Sequence, residues 1–188
     1  MKSQRRKIIC FLLFLYSVSR CIAQDRQFPH AVGGVLDLRQ ENLFANQLAL
    51  DGQWEFYWNE LINPQLGPTG TTRYTAFPSP WKKDTIDGKP LPSQGYASYR
   101  LTVLLPRRHP RLAMRVPDVY STYALYGNGE LLSRNGRPGT TAGSTKPFWA
   151  LRVVYFPSES DTLVLVLQVA NFHHAKGGPY KAIILGDL

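Results

Sequence analysis

Period-two alternation, cut into short runs by proline and glycine, governs most of this chain and leaves little room for helices. Tyr99, Leu101, Val103 and Leu105 alternate with Ser98, Arg100 and Thr102. Successive side chains on a pleated strand face opposite ways, so this spacing makes one apolar and one polar face. Pro106 ends the run because proline has no N–H for the next ladder bond. Leu112, Met114 and Val116 repeat the pattern against Arg111, Ala113 and Arg115, and Pro117-Asp118 closes it. Tyr123 and Leu125 then share a face, and Asn128-Gly129 stands between Ala124-Leu125-Tyr126 and Leu131-Leu132. Both turn positions of a tight hairpin favour positive φ, which Asn-Gly supplies. Residues 149–156 and 181–185 read as further strands, and 52–58 as an earlier one with Trp54, Phe56 and Trp58 on one face.

Residues 162–169 depart from the pattern, since Leu163, Val164, Leu165, Val166 and Leu167 are apolar without alternation. Such a short, β-branched run predicts a central strand covered on both sides. Residues 59–62 are compatible with a short helical turn. The Gly-, Pro- and Thr-rich stretch 64–92 predicts a long surface loop with Trp81 as its one large apolar anchor. Seven or eight strands without helices between them predict an all-β fold, a β-sandwich or jelly roll.

The N-terminus has the layout of an export signal: Lys2, Arg5, Arg6 and Lys7, then an apolar run over 8–16, then Cys21 and Ala23 at the −3 and −1 positions of a cleavage site before Gln24. Nine apolar residues are too few to span a bilayer, which takes about 20. An uncleaved anchor and a lipoprotein cleavage before Cys21 are the alternatives, and Arg20 fits the second poorly. The expected division is a signal peptide at 1–23, a linker at 24–35 and one sandwich domain at 36–188, in a product exported to the periplasm or the outer face of the inner membrane.

Removing the signal takes away five of the 22 basic residues and none of the 13 acidic ones, so 17 basic against 13 acidic leave a net charge of +4 rather than +9. The basic balance is then no argument for nucleic acid. Both cysteines, Cys10 and Cys21, leave as well, which excludes disulfides, thiolate zinc sites and a Cys nucleophile from the mature chain.

Catalytic signatures are missing. There is no G-x-S-x-G elbow, Gly-rich phosphate loop or H-E-x-x-H. Glycoside hydrolysis needs two carboxylates facing across a cleft, whereas Asp51, Asp87 and Asp118 each sit beside Gly or Pro, where turn formation explains them. His173-His174 has no third or fourth metal ligand at suitable spacing, and Lys176 nearby repels a cation. The expectation is a non-enzyme without cofactor or metal.

Several phrases together carry a family resemblance. Leu50-Asp51-Gly52-Gln53-Trp54-Glu55-Phe56, Phe77-Pro78-Ser79-Pro80-Trp81, Tyr99-Arg100, and residues 116–120 through 126–131 resemble the sugar-binding domain of family 2 glycoside hydrolases. Gly52 to Trp58, Gly95 to Leu101, Asn128-Gly129, Asn135-Gly136, residues 169–178 and Ile184-Leu185-Gly186 resemble more closely the extracytoplasmic domain of bacterial seven-transmembrane receptors with diverse intracellular signalling modules. The resemblance spans about residues 36–186 and implies a galactose-binding-like jelly roll. It also implies a membrane receptor portion in cis, unless the chain is a stand-alone version.

The expectation that follows is a sensor domain for a carbohydrate or related small molecule. The alternative is a non-catalytic accessory or protein-interaction module. Trp81 and Trp149 are the candidates for stacking on sugar C–H faces, and Arg100, Asn171, His173, His174 and Lys176 for hydrogen bonding. Each has a plainer structural reading: Trp81 as a plug sealing the sandwich, Arg100 as the partner of an acid, the histidines as structural, and residues 176–179 as a tight turn.

Overall fold

The structure is a computed structural model and describes residues 28–155 and 160–187. The expected signal peptide therefore lies outside the described residues. Strands, in chain order, are β1 (Val35–Asp37), β2 (Leu48–Leu50), β3 (Gly52–Trp58), β4 (Arg73–Phe77), β5 (Thr85–Ile86), β6 (Lys89–Pro90), β7 (Gly95–Leu104), β8 (Ala113–Val116), β9 (Thr122–Gly127), β10 (Glu130–Asn135), β11 (Arg152–Tyr155), β12 (Thr162–Asn171) and β13 (Ile183–Gly186). No α-helix occurs among the described residues, and only a 3-10 turn at Trp81–Lys83 interrupts the β structure.

The fold is an all-β sandwich. One sheet runs β10-β9-β12-β7-β3-β4, and the facing sheet runs β11-β8-β13-β2. The free edge of β7 is shared end to end: β3 pairs with residues 97–100, and β1 runs parallel to 102–104. The alternation seen in the sequence sorts the faces. Trp54, Phe56, Tyr99, Leu101, Val103, Tyr123 and Leu125 are all buried in the one core.

β12 lies centrally, between β9 and β7, as its unbroken apolar run predicts. Leu163, Leu165, Leu167 and Val169 fill the core. Val166 points the other way, yet it is buried beneath Ile62 with Tyr57. The chain after β3 crosses this outer face and is pinned there. Ser98 Oγ donates to the Glu60 carbonyl (2.8 Å) and accepts from the Ile62 N–H (2.9 Å), and Gln168 Nε2 donates to the Ile62 carbonyl (2.8 Å). This crossing replaces the helical turn expected at 59–62.

The stretch 64–92 is not one long loop. Its composition hides β4, whose Thr75 and Phe77 are buried while Arg73, Tyr74 and Ala76 face out. It also holds the small β5–β6 hairpin, turned by Asp87 and Gly88 at positive φ. Asn128 and Gly129 likewise turn at positive φ between β9 and β10, the predicted hairpin. The strand expected over 149–156 begins only at Arg152; Phe156 lies outside the described residues. The sandwich also starts before Leu36. Ala31 is buried in the core and exchanges backbone bonds with Asp51 and Gln53 around Gly52, so the end of the expected linker packs with the domain. A Cβ on Gly52 would run into the Ala31 backbone, which is why a glycine stands there.

Candidate functional site

Three connections meet at one end of the sandwich: residues 117–121 between β8 and β9, 136–151 between β10 and β11, and 172–182 between β12 and β13. They enclose a cleft of about 390 Å³ lined by Asp118, Tyr120, Ser121, Phe148, Trp149 and His174, with Val119, Pro147 and His173 completing it.

Each wall has a local cause. Pro117 stops β8 and turns the chain across to the other sheet, and the Tyr120–Ser121 peptide in this crossing is cis. Gly136, at φ +72°, lets the second loop close against the Lys146 carbonyl, where a Cβ would collide. The Arg137–Lys146 bridge then presents Phe148 and Trp149 outward, 57% and 75% exposed. Asn171 organises the third loop. It is fully buried, its Nδ2 donates to the carbonyls of Ser93, His174 and Lys176 (2.8–2.9 Å), and its Oδ1 accepts from the N–H groups of His173 and His174.

Aromatic rings and one carboxylate join the walls. Tyr120 stacks with His174 (centroids 4.7 Å apart, 8° between planes) and with Tyr180 (4.4 Å, 22°). Asp118 Oδ2 accepts from both Trp149 Nε1 and the Tyr180 hydroxyl, each at 2.7 Å. That carboxylate stabilises the protonated phenol, and the Tyr180 pKa is pushed up to about 12. His174 Nδ1 lies within hydrogen-bonding distance of both the Lys176 N–H (3.0 Å) and the Lys176 carbonyl (3.1 Å), which fixes the ring plane against the loop. Lys176 Nζ stands 5.9 Å from the Tyr120 ring centre. The Ser121 hydroxyl is buried and has no hydrogen-bond partner among the described residues.

Of the residues singled out in the sequence, Trp149, His173, His174 and Lys176 come together at this end, with Asn171 beneath them as a scaffold rather than a contact. Trp81 does not join them. It is fully buried, its Nε1 donates to the Tyr99 hydroxyl (2.8 Å), and it meets Trp58 edge-on at 4.9 Å. A Cβ on Gly177 or Gly178 would strike the Trp81 ring, so the paired glycines close the seal that Trp81 makes. Arg100 lies on the outer face of the six-strand path and binds Glu55 Oε1 at 2.8 Å. Both follow their structural readings, because each already has a protein partner for its polar end. Sequence reasoning passed over Tyr120, Ser121, Phe148 and Tyr180, and treated Asp118 only as a turn residue. The signal it offered was the clustering of Asp118-Val119-Tyr120 just after Pro117 where the chain changes sheets.

Among the described residues, no three His, Asp or Glu side chains are placed to hold a metal, and no helix is long and apolar enough to cross a membrane.

No family model matches the sequence, and no curated protein matches it. Solved structures do. The chain is similar to the Faecalibacterium prausnitzii β-glucuronidase (TM-score 0.58, 14% identity, 74% of this chain on 31% of that one). It is similar to the Ruminococcus gnavus β-glucuronidase in complex with uronic isofagomine (TM-score 0.57, 14% identity, 77% on 29%) and to an uncultured Clostridium sp. β-glucuronidase (TM-score 0.57, 16% identity, 74% on 28%). What is shared is the fold. The chain spans under a third of the length of each of these proteins.

Proposed function

We propose that this chain is a non-catalytic carbohydrate-binding domain that takes its ligand in the end cleft and serves as the exported sensing part of a bacterial membrane receptor. One observation carries the binding role: a three-quarters-exposed indole, Trp149, is held in place by Asp118 on the rim of an apolar cleft. An exposed tryptophan is costly to hydration unless it packs on something, and a fixed ring loses little entropy when a sugar face covers it. The cleft volume falls within the range of about 300–1,000 Å³ common for small-ligand sites. Around the platform, the imidazoles of His173 and His174 supply the few polar groups that orient a polyol. The sensor role is supported by the receptor resemblance in the sequence and by the export-like N-terminus.

The test is isothermal titration against a panel of neutral and acidic oligosaccharides, with Trp149→Ala alongside the parent. Binding that falls at least tenfold in Trp149→Ala, in a variant that still unfolds in one cooperative transition only modestly below the parent's, is the expected result. Silence across the panel, or binding indifferent to Trp149, refutes the cleft as the site. For the sensor role, the observation that decides is whether the native gene continues into membrane helices.

A second reading has its own observation. Trp149, Leu151, Val153 and Tyr155 alternate along the approach to and length of the edge strand β11, and all four are at least half exposed. Such a row suits a protein-interaction module. Tight self-association in light scattering, with no saccharide bound, favours it.

A further inference from the structure

Asp118 is a wall common to two clefts. Its far side faces a second hollow of about 570 Å³, lined by Asp51, Arg115, Asp118, Leu151, Tyr180 and Lys181 among others. The sheet β11-β8-β13-β2 forms its floor. One cross-strand row on the outward face reads Val153, Arg115, Ile184, Ala49, so Arg115 has only uncharged neighbours on either side.

The charges of this hollow are unevenly occupied. Both carboxylates already have donors: Asp51 Oδ1 contacts His30 Nδ1 at 2.6 Å, and Asp118 Oδ2 holds Trp149 and Tyr180. Neither cation has an acid. Arg115 and Lys181 make no ion pair among the described residues, and Lys181 Nζ instead stands 5.4 Å from the centre of the Tyr180 ring. A lone exposed cation is ordinary, because water solvates it well. Arg115 and Lys181 both line one hollow, and although its two acids keep their charge, Asp51 Oδ1 and Asp118 Oδ2 already have donors while the two cations make no ion pair among the described residues, which leaves the cations to meet an anionic group. A guanidinium presents paired N–H donors that match a carboxylate, and an ammonium adds a point charge.

We infer that the second hollow is a subsite for the carboxylate of an acidic sugar residue, and that the ligand is an acidic oligosaccharide lying across the Trp149–Tyr180 ridge with one residue in each cleft. This rests on the end cleft being the saccharide site. The ridge makes the two clefts one binding surface, because Asp118 holds Trp149 on one side and Tyr180 on the other.

Oligogalacturonides and their methyl esters share a backbone and differ in the carboxylate, which makes them suitable probes. Titration of the protein is expected to give at least tenfold tighter binding of the acid form, with that advantage shrinking as salt rises. In Arg115→Gln/Lys181→Gln the acid form is expected to fall to the affinity of the ester. Both side chains are exposed, so the melting temperature of this variant stays at the parent value and confirms folding. Equal affinity for acid and ester, with binding still dependent on Trp149, overturns the subsite and leaves the end cleft standing. An acid preference that survives in the double variant also overturns it. An acid preference lost in the double variant but indifferent to Trp149→Ala removes the end cleft and keeps the anion site. No binding of either probe, or of the neutral panel, removes both.

Discussion

Replacing Trp81 and Trp149 in turn separates a plug from a platform. A tryptophan buries about 150–250 Å², and at about 25 cal/mol per Å² full burial is worth about 4–6 kcal/mol. Trp81 is fully buried, so Trp81→Ala forfeits most of that, in line with the 3–5 kcal/mol typical of such truncations. It also strands the buried Tyr99 hydroxyl, which loses its indole N–H donor, at about 1–3 kcal/mol more. The total, about 4–8 kcal/mol, rivals the whole stability of an ordinary domain, about 5–15 kcal/mol. Trp149 is 75% exposed, so its loss forfeits about a quarter of the burial and one surface hydrogen bond, about 1.5–3 kcal/mol. Urea denaturation followed by far-UV circular dichroism reads both. With a slope of about 1–3 kcal/mol per molar urea, Trp81→Ala moves the midpoint down by about 1.3 M or more, or abolishes the transition, while Trp149→Ala shifts it by less than half as much. A Trp81→Ala midpoint near the parent's refutes the plug, and with it the argument that Gly177-Gly178 exists to seat that ring.

Four further outcomes test neighbouring claims. Gly177→Ala drives a methyl into the Trp81 ring and the Ser93 carbonyl and lowers the melting temperature sharply, whereas Gly67→Ala meets open space and costs only the positive φ, about 1–2 kcal/mol; equal losses in calorimetry contradict the seal. Tyr180 titrates from about 12 down toward the ordinary tyrosine value in Asp118→Ala, as followed by phenolate absorbance. Because the folded value is raised, the Tyr180 contribution to stability is intact below pH 10, declines as pH rises from 10 to about 12, and vanishes from the pH profile of Asp118→Ala. Arg100→Gln leaves saccharide affinity unchanged and destabilises by about 1–3 kcal/mol through the lost Glu55 bond, and a binding defect in it contradicts the outer-face placement.

The legible part of the fold was the part with a period. The alternations feeding β7, β8 and β9 and the Asn128-Gly129 turn are each decided by a few neighbouring residues, and the structure follows them. The apolar run of β12 announced a strand covered on both faces without saying what covers it. The cover comes from residues 59–67, held by Ser98 and Gln168 from strands distant in sequence. β4 stayed hidden for a related reason. Only Thr75 and Phe77 face the core, and their flanks carry loop composition, so pairing with β3 decides a strand that local preference does not.

The site divides along the same line. Trp149 and the paired histidines stood out because a large ring or an imidazole in a loop is conspicuous by type. Residue type alone says nothing of whether a partner waits in the folded chain, and that is what divided the candidates. Trp81 and Asn171 are fully buried and satisfied by Tyr99 and three loop carbonyls, and Arg100 is tied to Glu55 on the outer face of the sheet, away from the end cleft. The Trp149 face, Arg115 and Lys181 are where the fold leaves stacking surface and positive charge unused. A buried hydroxyl without a partner costs about 1–3 kcal/mol, and the Ser121 hydroxyl, closed off from the cleft, carries that cost whether or not a ligand is bound. Ser121→Ala therefore stabilises the free domain slightly and leaves saccharide affinity unchanged. Thermal melting and titration of that one variant distinguish a packing defect from a recognition group; a loss of saccharide affinity identifies Ser121 as part of the binding surface and refutes its burial as the cause.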